Sequence, residues 1–133
     1  MVDLKENKLI ECEQCFKEFK KKELLLKYGE IRIEGEITIE KGDEILDSIR
    51  YLEKIYKKNR KRNIINVGIN SNGGDILTGL NIYEELSMAG RYMYISTRNY
   101  GHAGGIAGII FLAGKERLMM EYDDSCNTRT RIL

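Results

Sequence analysis

The chain has 133 residues, a formal net charge of +1, and charged side chains at 32% of its positions. This length is enough for one domain and too short for two. A near-neutral charge excludes functions that depend on a strongly basic or acidic surface, so we expect neither a nucleic-acid nor a membrane partner. The sequence has no apolar run of transmembrane length and no apolar signal segment at its start, and its three cysteines do not suggest a disulfide framework. We therefore expect a cytoplasmic protein.

Residues 1–28 form a predicted N-terminal charged helical segment. Apolar residues three or four positions apart mark one face of this helix: Leu9, Cys12, Phe16 and Phe19. Cys12 and Cys15 have the spacing of a zinc-binding pair, but zinc requires four ligands and the sequence has no second pair. We therefore interpret these cysteines as packing residues and predict no metal and no cofactor.

Residues 29–124 alternate between strand and helix patterns. The predicted elements are a strand over 30–34 that resumes over 36–39, a helix from Asp43 to about 59, a strand over 64–69, a helix over 76–86, a strand over 92–97, a helix of small residues over 103–113 and a strand over 117–120. This order predicts an α/β domain with parallel strands and right-handed crossovers. In such domains sites lie at the carboxyl ends of the strands.

Two glycine-rich turns follow predicted strands. They are Asn70-Ser71-Asn72-Gly73-Gly74-Asp75 and Gly101-His102-Ala103-Gly104-Gly105-Ile106. A strand–glycine turn–helix unit presents free backbone N–H groups at the helix N-terminus, where they can bind an anion. Two such turns predict an oxyanion site with donors from both sides.

These motifs resemble the Clp protease proteolytic subunit, ClpP, over residues 25–120. The first family signature, Ile-Asn-Ser-Pro-Gly-Gly followed by Gly and Tyr, is matched by 69–74, Gly79 and Tyr83. The second signature, Gly-x-Ala-Ala-Ser-Met followed by Ala-Gly and Arg, is matched by 101–106, 113–114 and Arg117. The resemblance implies a crotonase-like α/β spiral, truncated at its C-terminus. It also implies a ring-forming serine peptidase that works with an ATP-dependent AAA+ unfoldase.

The residues of the family's catalytic triad are missing from this sequence. Gly105 matches the position of the nucleophilic serine, Thr128 matches that of the histidine, and the aspartate position lies beyond the last residue. By resemblance, the oxyanion-hole donors are the N–H groups of Gly73 and Ile106. His102 does not match the catalytic histidine, and we interpret it as a turn or surface residue. Without serine and histidine the usual acyl-enzyme cannot form.

Residues 125–133 resemble no part of the family. They can be encoded by a nucleotide run that, read one base later, gives His-Val-Ile-His-Glu-Pro-Glu-Phe, which resembles the family's histidine segment. We therefore interpret this tail as the product of a frameshift. The function that fits best is a catalytically inactive ClpP-like subunit, alone or in a ring with ClpP-like subunits. The alternatives are a crotonase-type protein that binds or processes an acyl-CoA, and a non-enzymatic module that docks through residues 1–24.

Overall fold

The computed structural model describes residues 16, 23, 25, 27–58, 63–122 and 128–132. Within the predicted N-terminal segment, residues 16, 23, 25, 27 and 28 are helical. Phe16 is exposed, whereas Leu25 packs against the core. The Cys12–Cys15 pair, Leu9 and Phe19 lie outside the described residues.

The described residues form one five-stranded sheet and three further helices. The strands are β1 (Glu30–Glu34), β2 (Ile64–Ser71), β3 (Tyr94–Ala103), β4 (Glu116–Tyr122) and β5 (Thr128–Ile132), and the helices are α1 (Ile39–Lys58), α2 (Ile76–Ala89) and α3 (Ile106–Phe111). The strands lie in sequence order, with β1 to β4 parallel and β5 antiparallel to β4. The predicted α/β fold with parallel pairing is confirmed.

The core lies between the sheet and its helices. Each parallel connection passes through one helix, and the right-handed crossover rule places the three helices on one face. There α1 contacts α2, and α2 contacts α3. The buried side chains of the strands alternate with outward ones, as the pleat requires. The fully buried aliphatic residues include Ile49, Leu52, Ile65, Val67, Ile69, Ile82, Leu86, Ile95 and Ile110.

Helix α1 begins earlier than the sequence indicated. The predicted second strand over 36–39 is wrong, because only Ile37 forms an isolated bridge, with Gly74. The helix then begins at Ile39, and the Oγ1 atom of Thr38 accepts a hydrogen bond from Lys41 N at 3.2 Å. Thr38 is therefore the N-cap, and Asp43, at which the sequence pattern placed the start of the helix, lies exposed in its first half.

Strand β3 is longer than predicted, and α3 is correspondingly shorter. Pairing between β2 and β3 continues past a register shift to Ser71 opposite Ala103. Gly104 N then donates to Ser71 O at 2.9 Å, which extends the ladder by one bond. The predicted second glycine turn is thus reduced to Gly104 and Gly105, and the helix predicted over 103–113 covers only 106–111.

The tail contributes a strand to the sheet. Residues Thr128–Ile132 form β5 and pair with β4, with Thr128 opposite Tyr122 and Ile132 opposite Leu118. The edge of β4 that β3 leaves unpaired is therefore covered by backbone hydrogen bonding. Strand β5 then forms the edge of the sheet on this side, and an edge strand of five residues presents few unpaired backbone groups.

The sheet face opposite the helices is polar. Glu30, Arg32 and Glu34 project from β1 on this side, and Arg32 forms ion pairs with both glutamates at 3.4 Å. The Arg32 guanidinium carbon lies 5.1 Å from the ring centroid of Tyr100. That ring covers Gly68, where a Cβ atom would lie 2.6 Å from ring atom Cε2. The apolar core is thus confined to the helix side of the sheet.

Candidate active site

The first glycine turn is fixed to the chain segment that follows β1. Gly35 N donates to Asn70 O at 3.0 Å, and Ile37 N donates to Gly73 O at 3.0 Å. Asp75 N in turn donates to Ile37 O at 2.9 Å. Because Ile37 is bonded through both its N–H and its carbonyl, the turn is held as part of the sheet.

Ser71 is an internal brace of this turn. Its hydroxyl donates to Gly35 O at 2.6 Å and accepts from Gly73 N at 3.0 Å. The residue is buried, with 3% of its surface exposed. An oxygen engaged on both sides and shielded from solvent is unsuited to attack a substrate, so Ser71 has a structural role in the turn.

Gly105 forms a sharp strand-to-helix turn. It precedes α3 with φ 55° and ψ −130°, a backbone conformation that residues other than glycine adopt only under strain. Strand-to-helix turns of this kind expose a nucleophilic serine in α/β hydrolases. A Cβ atom at this position would have its nearest neighbours at 3.3 Å (Asn72 O) and 3.8 Å (Gly73 Cα). A side chain here would require Asn72 O to move by a few tenths of an ångström, and the position carries none.

The two turns pack directly against each other. A Cβ atom on Gly73 would lie 3.0 Å from Gly104 O, 3.3 Å from Ile106 N and 3.5 Å from Gly105 Cα. An open cleft of about 620 Å³ borders the first turn and is lined by Gly35, Glu36 and residues 70–74. Glycine at position 73 thus permits the close approach that brings both predicted donor segments to one place.

The predicted donors differ in their availability. The N–H of Ile106 has no hydrogen-bond partner among the described residues, whereas the N–H of Gly73 is donated to Ser71 Oγ. The N–H of the next residue, Gly74, also lacks a partner within the described part of the chain. Sequence reasoning did not single out Gly74, because the engagement of Gly73 depends on where the Ser71 hydroxyl points.

His102 lies beside the second turn, at an exposed position of β3. A Cβ atom on Gly104 would lie 2.5 Å from the Nε2 atom of His102, so the imidazole occupies the space above this glycine. The described residues provide no hydrogen-bond partner for the ring. An imidazole without an orienting carboxylate lacks the support that a triad histidine receives.

Asp75 caps the N-terminus of helix α2. Its side chain accepts from Thr78 N at 3.0 Å and from Thr78 Oγ1 at 2.6 Å, which makes it the N-cap. The hydrogen bonds from the Thr78 hydroxyl and backbone lower the pKa of the Asp75 carboxyl.

Thr128, at the predicted histidine position, begins β5 opposite Tyr122. Within the described ranges no three His, Cys, Asp or Glu side chains are grouped in a way that could hold a metal ion. The same ranges contain no helix with the length and apolar character that crossing a bilayer requires. Among the described residues, the two turns offer the backbone N–H groups of Gly74 and Ile106 to an anion, and the Ser71 hydroxyl is buried and engaged.

Known structures share this fold. The chain is similar to ClpP1 from Listeria monocytogenes, with 23% identity, a TM-score of 0.57, and coverage of 70% of this chain and 51% of that one. It is similar to the ClpP protease catalytic domain from Plasmodium falciparum, with 27% identity, a TM-score of 0.60, and coverage of 73% and 54%. A mutant of the Listeria ClpP1 matches at 19% identity and a TM-score of 0.56, with coverage of 77% and 64%.

The chain therefore spans about half to two thirds of the length of these structures. No curated protein sequence matches it. The sequence profile of the Clp protease family matches residues 13–125, which is most of the chain and includes both glycine segments. The expected ClpP-like α/β fold is confirmed, and the chain belongs to the Clp protease family.

Proposed function

We propose that this chain is a catalytically inactive member of the Clp protease family that associates with itself or with other ClpP-like subunits in the cytoplasm. The observation that carries the proposal is Gly105. Its backbone has the sharp turn that presents a nucleophile in α/β hydrolases, and it bears only hydrogen.

The surrounding residues offer no substitute for the missing groups. Ser71 is buried and engaged by Gly35 and Gly73, so its hydroxyl is not available. His102 is close to the turn but unsupported by a carboxylate among the described residues. In a serine protease, loss of the serine or the histidine alone lowers kcat by about 10⁶-fold. Such a loss would put peptide hydrolysis below detection.

The backbone donors extend this proposal to binding. Gly74 and Ile106 each present an N–H without a partner in the described part of the chain, and Gly74 lines the 620 Å³ cleft. We assign the two oxyanion-hole donors to the N–H groups of Gly74 and Ile106, because the N–H of Gly73, which the resemblance suggested, already donates to Ser71 Oγ. An AAA+ unfoldase and a ring of ClpP-like subunits remain the partners that family membership suggests.

The first test is peptide hydrolysis by the wild type and by the double variant Gly105→Ser, Thr128→His. We expect no hydrolysis above the buffer rate from the wild type, which has neither serine nor histidine at these positions, and little from the double variant, because the two substitutions do not supply the carboxylate that orients a triad histidine. Circular dichroism should show that the variant remains folded. Wild-type hydrolysis that is abolished by a substitution at any single residue would contradict the proposal.

A further inference from the structure

The first glycine turn contains the one Asn-Gly pair of the sequence, Asn72-Gly73. An asparagine side chain can be attacked by the backbone nitrogen of the next residue, and glycine, which lacks Cβ, shields that nitrogen least. The family signature has proline where this chain has Asn72, so the pair is a departure from the family pattern. We infer that Asn72 is a site of spontaneous deamidation and that the hydroxyl of Ser71 slows this reaction in the folded chain.

The reaction needs only water as a second reactant. The Gly73 nitrogen forms a bond to Cγ of Asn72, and the Cγ–Nδ2 bond breaks. Nδ2 leaves as ammonia, which carries away the proton of the Gly73 amide, and a succinimide ring remains. Water then opens the ring. Its addition at Cγ gives aspartate, whereas addition at the main-chain carbonyl gives isoaspartate, in which the chain continues through the side-chain carbon.

The side chain of Asn72 is accessible to solvent. The residue is exposed and lines the open cleft beside the first turn. Its amide group has no hydrogen-bond partner in the described part of the chain. Solvent can therefore carry off the ammonia and supply the water that opens the ring.

The attacking nitrogen, in contrast, is protected by the fold. The Gly73 N–H donates to Ser71 Oγ at 3.0 Å, and the Ser71 hydroxyl is itself fixed by donation to Gly35 O at 2.6 Å. Gly73 is buried, and its carbonyl accepts a hydrogen bond from Ile37 N at 3.0 Å. Attack requires loss of the amide proton, and this bonding and burial keep the proton away from base in solvent. Deamidation therefore starts from a locally opened turn.

The products would alter the candidate site. A carboxylate at position 72 adds a negative charge to the cleft that Gly74 also lines, where it would repel a bound anion. Isoaspartate also adds a methylene group to the main chain before Gly73, which displaces the carbonyl that Ile37 N binds. This consequence rests on the proposed anion site, whereas the deamidation itself does not.

Peptide mapping by mass spectrometry of the full chain, aged in mildly alkaline buffer, tests the inference. Trypsin releases residues 63–91 as one peptide, and fragment ions locate the converted residue within it. We expect conversion at Asn72, slow in native buffer and faster in urea, which frees the Gly73 nitrogen. Ser71→Ala removes the acceptor of the Gly73 N–H. It should raise the rate in native buffer by about 5- to 30-fold, the factor for losing one hydrogen bond that opposes opening.

Thr97→Ala is the matched control, because the Thr97 hydroxyl is also buried and donates one hydrogen bond, to Phe111 O, away from the first turn. Its rate should stay near that of the wild type. Equal rates for the Ser71 and Thr97 variants would overturn the role of Ser71. Wild-type rates that are equal in urea and in native buffer would show that the folded turn gives no protection. A wild type that stays unmodified at Asn72 even in urea overturns the site.

Discussion

Replacing Gly74 by alanine is expected to lower the free energy of unfolding by about 3–5 kcal/mol. A Cβ atom at this position would collide with the carbonyl oxygen of Ile37 and lie 2.7 Å from its nitrogen. Both groups of Ile37 are hydrogen-bonded, to Asp75 N and Gly73 O, and its side chain is buried. Making room therefore costs about 1–3 kcal/mol of overpacking, and about 0.5–1.5 kcal/mol for each bond that breaks.

Gly35→Ala is the matched control for this prediction. Gly35 has φ +72°, but an added Cβ atom would meet only the flexible end of Lys41, at 3.1 Å from Nζ. Its cost should therefore be the left-handed backbone penalty of about 1–2 kcal/mol. Urea unfolding followed by circular dichroism measures both variants. Equal losses for the two would show that the contact between Gly74 and Ile37 does not brace the first glycine turn.

Ile110→Ala is expected to cost about 2–5 kcal/mol and to loosen the turn at Gly105. Ile110 is fully buried, and the loss combines its transfer free energy with the cavity that remains. Helix α3 has six residues, too few to be stable in isolation, so it depends on its buried side chains. At the C-terminal end of α3, the Thr97 hydroxyl also donates a hydrogen bond to Phe111 O at 2.7 Å.

The neighbouring residue provides the control. Ile109 has the same side chain but is 40% exposed, so Ile109→Ala should cost less than about 1 kcal/mol. Hydrogen exchange at the amides of residues 104–108 reports on the turn itself, and it should accelerate in the Ile110 variant alone. If both variants unfolded at the same urea concentration, α3 would not be anchored through Ile110.

Local patterns were sufficient to predict the order of the elements from β1 to β4, but not β5. The isoleucines of β1 alternate with polar residues, β2 is mostly apolar, and Ile45, Ile49 and Leu52 recur at helical spacing on the buried side of α1. These signals work because each strand or helix must bury one face, which the side-chain period records. The ends of elements were harder to predict, since Thr38 and Asp43 are both acceptable caps and only tertiary contacts select between them.

The candidate site shows the same division between local and non-local information. The missing serine could be identified from the match of Gly105 to a family motif. The extension of β3 to Ala103 could not be predicted from the sequence, because the glycine-rich stretch that ends this strand has the pattern of a turn until its pairing with β2 is known. Likewise, Gly73 and Gly74 are equivalent in sequence terms. They differ only because the Ser71 hydroxyl folds back onto the N–H of Gly73.

Labelling with a fluorophosphonate tests the central claim most directly, because this reagent forms a covalent adduct with an activated serine. The full chain should be incubated with excess reagent and its intact mass measured, with an active serine hydrolase as the positive control. We predict that the chain keeps its unmodified mass, since Gly105 offers no oxygen and Ser71 is buried and engaged. A single adduct per chain, mapped to one hydroxyl, would contradict the account and identify an active peptidase.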